Sequence, residues 1–210
     1  DAVKALRRFL AENGVPLRLH AGCEIRLHPS MPKALRGKKL LTLGDAGRYA
    51  LVELPPHVLP LRLEDFFWEL RGFGLTPVLA HPERHPWLLH HPGLLVNWVR
   101  AGALVQITAG SLLGHFGKHV REGTFRLLDH RLVHVIASDA HNAKERAPAL
   151  SRAFDEAAKR LGEDAARDLV LTVPRCLLEG KPWEVPQPVP WEKRRSFWAR
   201  ILSRLTHGPG

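Results

Sequence analysis

Short runs rich in Val, Ile and Leu alternate along the chain with longer stretches in which apolar residues recur at helical spacing. That alternation predicts strand-helix repeats and a mainly parallel sheet, an α/β fold. Strands are expected over 17–27, 49–54, 76–80, 103–108 and 133–138, with helices near 64–72, 92–101, 116–130, 147–161 and 163–171. Gly14, Gly72, Gly74, Gly102 and Gly162 fall where helices should stop. In the first strand Cys23, Ile25 and Leu27 alternate with Glu24, Arg26 and His28. The apolar trio is therefore expected to pack on helices, and Glu24 to point toward the interior or the mouth of the sheet.

The pattern changes after residue 180. The segment 181–190, KPWEVPQPVP, has proline at every second or third place, so it forms neither a helix nor a central strand and reads as a linker. Residues 1–180 are then one domain and 191–210 a basic amphipathic tail. In that tail Trp191, Phe197, Trp198, Ile201, Leu202 and Leu205 recur at helical spacing among Lys193, Arg194, Arg195, Arg200 and Arg204. Such a stretch, residues 191–205 above all, could lie on an anionic membrane surface or form an ordinary solvated or partner-packed helix.

Composition narrows this picture. With 45% apolar and 25% charged residues over 210 positions, the chain is a globular protein with one substantial core rather than a disordered or coiled-coil one. Its longest apolar runs fall well short of the roughly 20 residues that cross a bilayer, and the N-terminus lacks a secretory signal, so a cytoplasmic location is expected. Cys23 and Cys176 give neither a disulfide framework nor a four-cysteine zinc site. The net charge of +10 draws anions, whether nucleic acid, lipid or phosphorylated substrates, without choosing among them.

The sharpest chemical signal is Ser138-Asp139-Ala140-His141 at the end of an apolar strand, where parallel α/β folds place their sites. In extended backbone Asp139 and His141 project to the same side and can chelate a metal; alternatively Asp139 caps the next helix and His141 is a bystander. At another strand end, Val78-Leu79-Ala80-His81-Pro82-Glu83-Arg84 delivers an imidazole suited to a borderline metal and a guanidinium suited to phosphate oxygens. The plain alternative is a helix-starting turn with solvated basic residues. A buried Glu24 needs a cation, which is either a metal or a neighbour such as Arg26 or His28. The loop 108–114 could bind phosphate through its amides, although capping of the next helix is the favoured reading. His57, His85, His90, His91, His115, His119, His130 and His134 are too scattered to be ligands and are expected at the surface or partly packed.

Several chemistries are excluded by spacing. A cysteine phosphatase needs arginine six residues after its thiol, where this chain has Pro29 and Pro182. No G-x-x-x-x-G-K-[ST], G-x-S-x-G or H-E-x-x-H motif occurs in the sequence. Metal-activated water remains.

The segments AGCEIRL, LVELP, PVLAHPER, VQITAGSLLGHFG and VHVIASDAHN, in this order and spacing, resemble the bacterial PHP-type tyrosine-protein phosphatases found with capsule and exopolysaccharide genes. The likeness runs from about Val3 to Leu178. It implies a distorted, TIM-like β/α (PHP) barrel with a cluster of metal ions, usually manganese, at the C-terminal ends of its strands, acting on phosphotyrosine of an autophosphorylating kinase rather than on nucleic acid. By the same resemblance Glu24, His81, Asp139 and His141 are metal ligands and Arg84 is the phosphate clamp. The family opens with an H-x-H strand, acidic residues and a further histidine that have no counterpart before Asp1. The chain is thus expected to be an incomplete barrel without its first strands, with edges open to pairing with another chain. Rival readings are another phosphatase of the superfamily, of histidinol-phosphate or nucleotide type, and a noncatalytic binding module.

Overall fold

A computed structural model describes residues 2–56 and 62–191. Its centre is a five-stranded parallel sheet with strands in chain order: β1 (Glu24–Arg26), β2 (Tyr49–Glu53), β3 (Thr76–Ala80), β4 (Leu104–Thr108) and β5 (Val135–Ala137). Every crossover steps in the same direction, as in a β/α barrel, whereas a doubly wound sheet reverses its order midway. Among the described residues β1 and β5 each pair on one side only, so the sheet is an open arc.

Helices α1 (Ala2–Glu12), α2 (Met31–Arg36), α3 (Leu63–Gly72), α4 (Pro86–His90), α5 (Pro92–Arg100), α6 (Ala109–Leu112) and α7 (Lys118–Asp129) join or precede these strands. After β5 come α8 (Ser151–Leu161), α9 (Glu163–Arg167), a π-helical turn (Asp168–Thr172) and α10 (Val173–Leu178). Pro174 explains that turn: it has no N–H to donate to the carbonyl four residues back, and its ring crowds that carbonyl. The first strand is shorter than its sequence pattern suggests, since only Glu24–Arg26 reaches the β2 ladder. Two helices start later than their apolar spacing predicts, at Lys118 and Ser151 rather than at 116 and 147.

The register sorts side chains onto two faces. Ile25, Val52, Leu79 and Val105 are paired along one row, and with Ala50 and Ile107 they face the helices, meeting Leu63, Phe67, Leu70, Leu95 and Trp98 in the main core. Burying each such side chain contributes roughly 1.5–3 kcal/mol. Tyr49, Val78, Leu104 and Val135 point the other way and form a second cluster with Val173 and Leu177 of α10. Glu24, the first residue of β1 and paired with Leu51, and Glu53, the last of β2 and paired with Arg26, share this inner parity.

The Pro-rich segment 181–190 does not leave the domain. The Tyr49 hydroxyl donates to the Lys181 carbonyl (2.8 Å) and accepts the Trp183 N–H (3.1 Å), and the Val189 N–H bonds the His130 carbonyl (2.9 Å). Trp191 then stacks on His130 at 4.2 Å and lies under the Arg126 guanidinium at 4.6 Å. The remainder of the basic tail, 192–210, lies outside the described residues, as does His57. Among the described residues no helix is long and apolar enough to cross a membrane.

Two of the histidines expected near the surface are instead core residues. His85 is 5% exposed and His134 is 3% exposed. The Val105 N–H donates to His134 Nδ1 at 3.0 Å, so the ring proton sits on Nε2, and burial pushes this imidazole down to about 4. The sign of the linkage follows. Stability is full above pH 6.5, declines as the unfolded chain takes up a proton that the folded chain refuses, and has lost about 3 kcal/mol from this source below about pH 4. Urea titrations at neutral and acid pH are expected to show a smaller acid loss in His134→Gln than in the wild type; an equal loss in both would assign the acid sensitivity to other groups.

Candidate metal and anion site

The C-terminal edge of the sheet gathers the chemistry. Glu24 on β1 and Glu53 at the end of β2 reach it through strand alternation alone. His81 does not, because strict alternation would send it with Leu79 into the helix-facing core. Its backbone turns instead into the left-handed region (φ 34°), which re-aims the ring toward the carboxylates, while its N–H stays on the ladder by bonding the Gln106 carbonyl (2.8 Å). Non-glycine residues rarely adopt such angles outside sites where the surroundings enforce them. Asp139 is the other such case at the site (φ 51°); Lys38, Asp45, Arg62 and Arg131 adopt positive φ elsewhere among the described residues.

His81 Nε2 lies 2.9 Å from Glu24 Oε1. Ligand atoms of Glu24, Glu53 and His81 all fall within 4.8 Å of one another, which is the spacing of a mixed carboxylate and imidazole metal site. The hydrogen bond with His81 holds the Glu24 carboxyl below its usual range against the opposing effect of burial, helped by the charges of His81, Arg84 and His141. Burial pushes the His81 imidazole down, but the bond to Glu24 and the nearby carboxylates outweigh it and hold the ring above the ordinary histidine range. Arg26, one sequence candidate for neutralising Glu24, pairs with Glu53 instead (3.4 Å).

The second half of the site surrounds Asp139, whose side chain is 9% exposed. Its Oδ2 accepts from Arg84 Nη1 (3.0 Å) and from Arg146 Nη2. Arg146 is brought there by a closed loop: Asn142 Oδ1 accepts the N–H groups of Lys144, Glu145 and Arg146, and the His141 N–H bonds the Arg146 carbonyl. His141 folds back so that Nδ1–H donates to the Asp139 carbonyl (2.9 Å), which leaves the lone pair on Nε2, as a ligating histidine requires. Its side chain is 56% exposed and stands apart from the Glu24, Glu53 and His81 group.

A buried carboxylate fixes the loop that carries His81 and Arg84. Glu83 is fully buried and accepts the Thr108 N–H (2.9 Å) and the Ser111 hydroxyl (2.6 Å), so the turn after β3 is latched to the turn after β4. Burial raises its carboxyl, and those two bonds pull the other way. The segment 108–114, most of which is α6, thus holds a protein carboxylate through the Thr108 amide and the Ser111 hydroxyl.

Of the five residues singled out from the sequence, the structure joins Glu24 with His81 and Arg84 with Asp139, and keeps His141 beside Asp139. Sequence reasoning missed Glu53 and Arg146. Glu53 sits in LVELP at the end of β2, two residues past Leu51, which pairs with Glu24, so strand alternation counted from Leu51 would have flagged it. Arg146 offered only its distance of five residues from His141, with no period to place it.

A sheet of consecutive parallel strands with carboxylates, an imidazole and paired arginines gathered at one edge defines an α/β barrel-type protein with a candidate cation group beside a candidate anion fork. The chain belongs to the capsular polysaccharide synthesis family CpsB/CapC, whose model it matches over residues 1–179. It is 40% identical over 146 residues to the tyrosine-protein phosphatase YwqE of Bacillus subtilis, covering 70% of this chain and 57% of YwqE. It is 36% identical over 140 residues to the putative tyrosine-protein phosphatase CapC of Staphylococcus aureus, covering 67% of this chain and 54% of CapC. The chain therefore spans little more than half the length of these two curated relatives. In three dimensions it matches a chain from the crystal structures of YwqE from Bacillus subtilis and CpsB from Streptococcus pneumoniae, described as metal-dependent tyrosine phosphatases. That match has a TM-score of 0.86 and 34% identity, and covers 91% of this chain and 77% of the other.

Proposed function

We propose that the protein is a metal-dependent phosphomonoesterase that removes phosphate from phosphotyrosine on a protein, with a bacterial tyrosine kinase of capsular or exopolysaccharide synthesis as its partner in the cytoplasm. The observation that carries this reading is the meeting, at one edge of the sheet, of a carboxylate and imidazole group with two arginines aimed at one point. Family membership and the named activities of the relatives agree with it.

Glu24, Glu53 and His81 would hold a divalent ion, Mn²⁺ being the expected one, and Asp139 and His141 offer further ligands. Such an ion, when bound, lowers the pKa of a water and screens phosphate charge. The protein's own part is positional. Arg84 and Arg146 present planar N–H forks that match two oxygens of a phosphoryl group, and substrate oxygens compete with the Asp139 carboxylate for the same donors. Both guanidiniums are about one-third exposed, so an anion arriving from solvent reaches them.

Mn²⁺-loaded protein is expected to release phosphate from a phosphotyrosine peptide faster than from histidinol phosphate or a nucleoside monophosphate, and EDTA should stop the release. A preference for either small phosphate would move the substrate assignment within the superfamily. No EDTA-sensitive release from any of the three would favour a noncatalytic binding module.

A further inference from the structure

Phe116 stands next to the anion fork without a role in the reading above. Its ring lies against Arg84, with the guanidinium carbon 4.7 Å from the ring centroid, and it is only half-buried. Two devices keep it there. Glu83 ties the Arg84 turn to Thr108 and Ser111, at the start of the loop that ends in Phe116. Gly110 leaves the space into which the ring edge fits: a Cβ at Gly110 would stand 3.2 Å from Phe116 Cε2 and 3.2 Å from His115 Nδ1. A partly exposed aromatic ring is thus held in register with the group proposed to grip phosphate.

We propose that Phe116 is the aryl-recognition wall of this site, packing on the aromatic ring of a phosphate ester while Arg84 holds the phosphoryl oxygens. The inference rests on the phosphotyrosine reading and deepens it by naming what selects an aryl ester. A phosphate bound at Arg84 keeps one oxygen for its organic group, and Phe116 is the aromatic ring that touches Arg84. Aromatic rings attract one another through offset-stacked or edge-to-face contact beyond simple area burial, so a flat aryl group gains where a saturated ring of similar size does not. Short alkyl phosphates do not reach the wall.

Three phosphonates that resist hydrolysis separate the contributions: benzylphosphonate, cyclohexylmethylphosphonate and methylphosphonate, titrated calorimetrically into the Mn²⁺-loaded full chain. Wild type is expected to bind the benzyl compound about three- to tenfold more tightly than the cyclohexyl one. Phe116→Leu should bring the two within about twofold while still binding methylphosphonate, and Phe116→Tyr should keep the preference. Gly110→Ala, which displaces the ring without removing it, should shrink the preference in the same direction. A wild type that binds methylphosphonate but treats the two ring compounds alike, or a preference that survives in Phe116→Leu, overturns the wall and leaves the anion clamp standing. Failure of wild type to bind any of the three overturns the clamp and the wall together.

Discussion

Arg84→Ala in the metal-loaded protein is expected to lower turnover of a phosphotyrosine peptide by about 10²–10³-fold and to leave bound metal unchanged. Donors preset where charge grows in the transition state cost no reorganisation during reaction, which is why losing one outweighs an ordinary hydrogen bond. The guanidinium is fixed on two sides, by Asp139 Oδ2 at 3.0 Å and by the Phe116 ring, so it needs little further ordering. Arg84→Lys keeps the charge but not the fork, and is expected to recover less than tenfold of the loss. Steady-state kinetics paired with elemental analysis decide the matter. Loss of metal in step with loss of activity would make Arg84 a scaffold residue.

The other large effect concerns His81. Its replacement by alanine is expected to weaken Mn²⁺ binding by at least about a hundredfold, because even partners that only orient a ligand are worth 10- to 100-fold. The ring is buried, so no water replaces it at low cost, and Glu24 loses the hydrogen bond that holds its carboxyl low. Glu24→Gln tests the same group from the opposite side: it keeps the shape, removes the charge, and should also weaken Mn²⁺. Isothermal titration with Mn²⁺ reads both variants, and affinities within about threefold of wild type would move the metal elsewhere.

The four apolar runs from 49 to 138 were legible as strands because each sits at a buried centre where hydrophobic content alone specifies it. The same strand ends led to Glu24, His81, Arg84 and Asp139. What escaped was information carried by distant partners. The segment 181–190 reads as a free linker until Tyr49, more than 130 residues earlier in the chain, is seen to bond Lys181 and Trp183. His134 and His85 look like solvent residues because nothing adjacent in sequence announces the burial around them. Arg146 belongs to a loop closed by Asn142, a turn that apolar periodicity cannot register. The helix Ala2–Glu12 was signalled only at its end, by Gly14, and it shields no residue of its own: Leu6 and Phe9 are 47% and 59% exposed.

The left-handed backbone at His81 and Asp139 has an evolutionary implication. Each side chain there opposes its own main-chain angle by about 1–3 kcal/mol, a strain that glycine would relieve and asparagine would lessen. Natural selection for thermal robustness and for ion chemistry therefore pull in contrary directions at two known places. Were the proposed site released from selection, these two points should drift to Gly or Asn first and leave a sturdier protein.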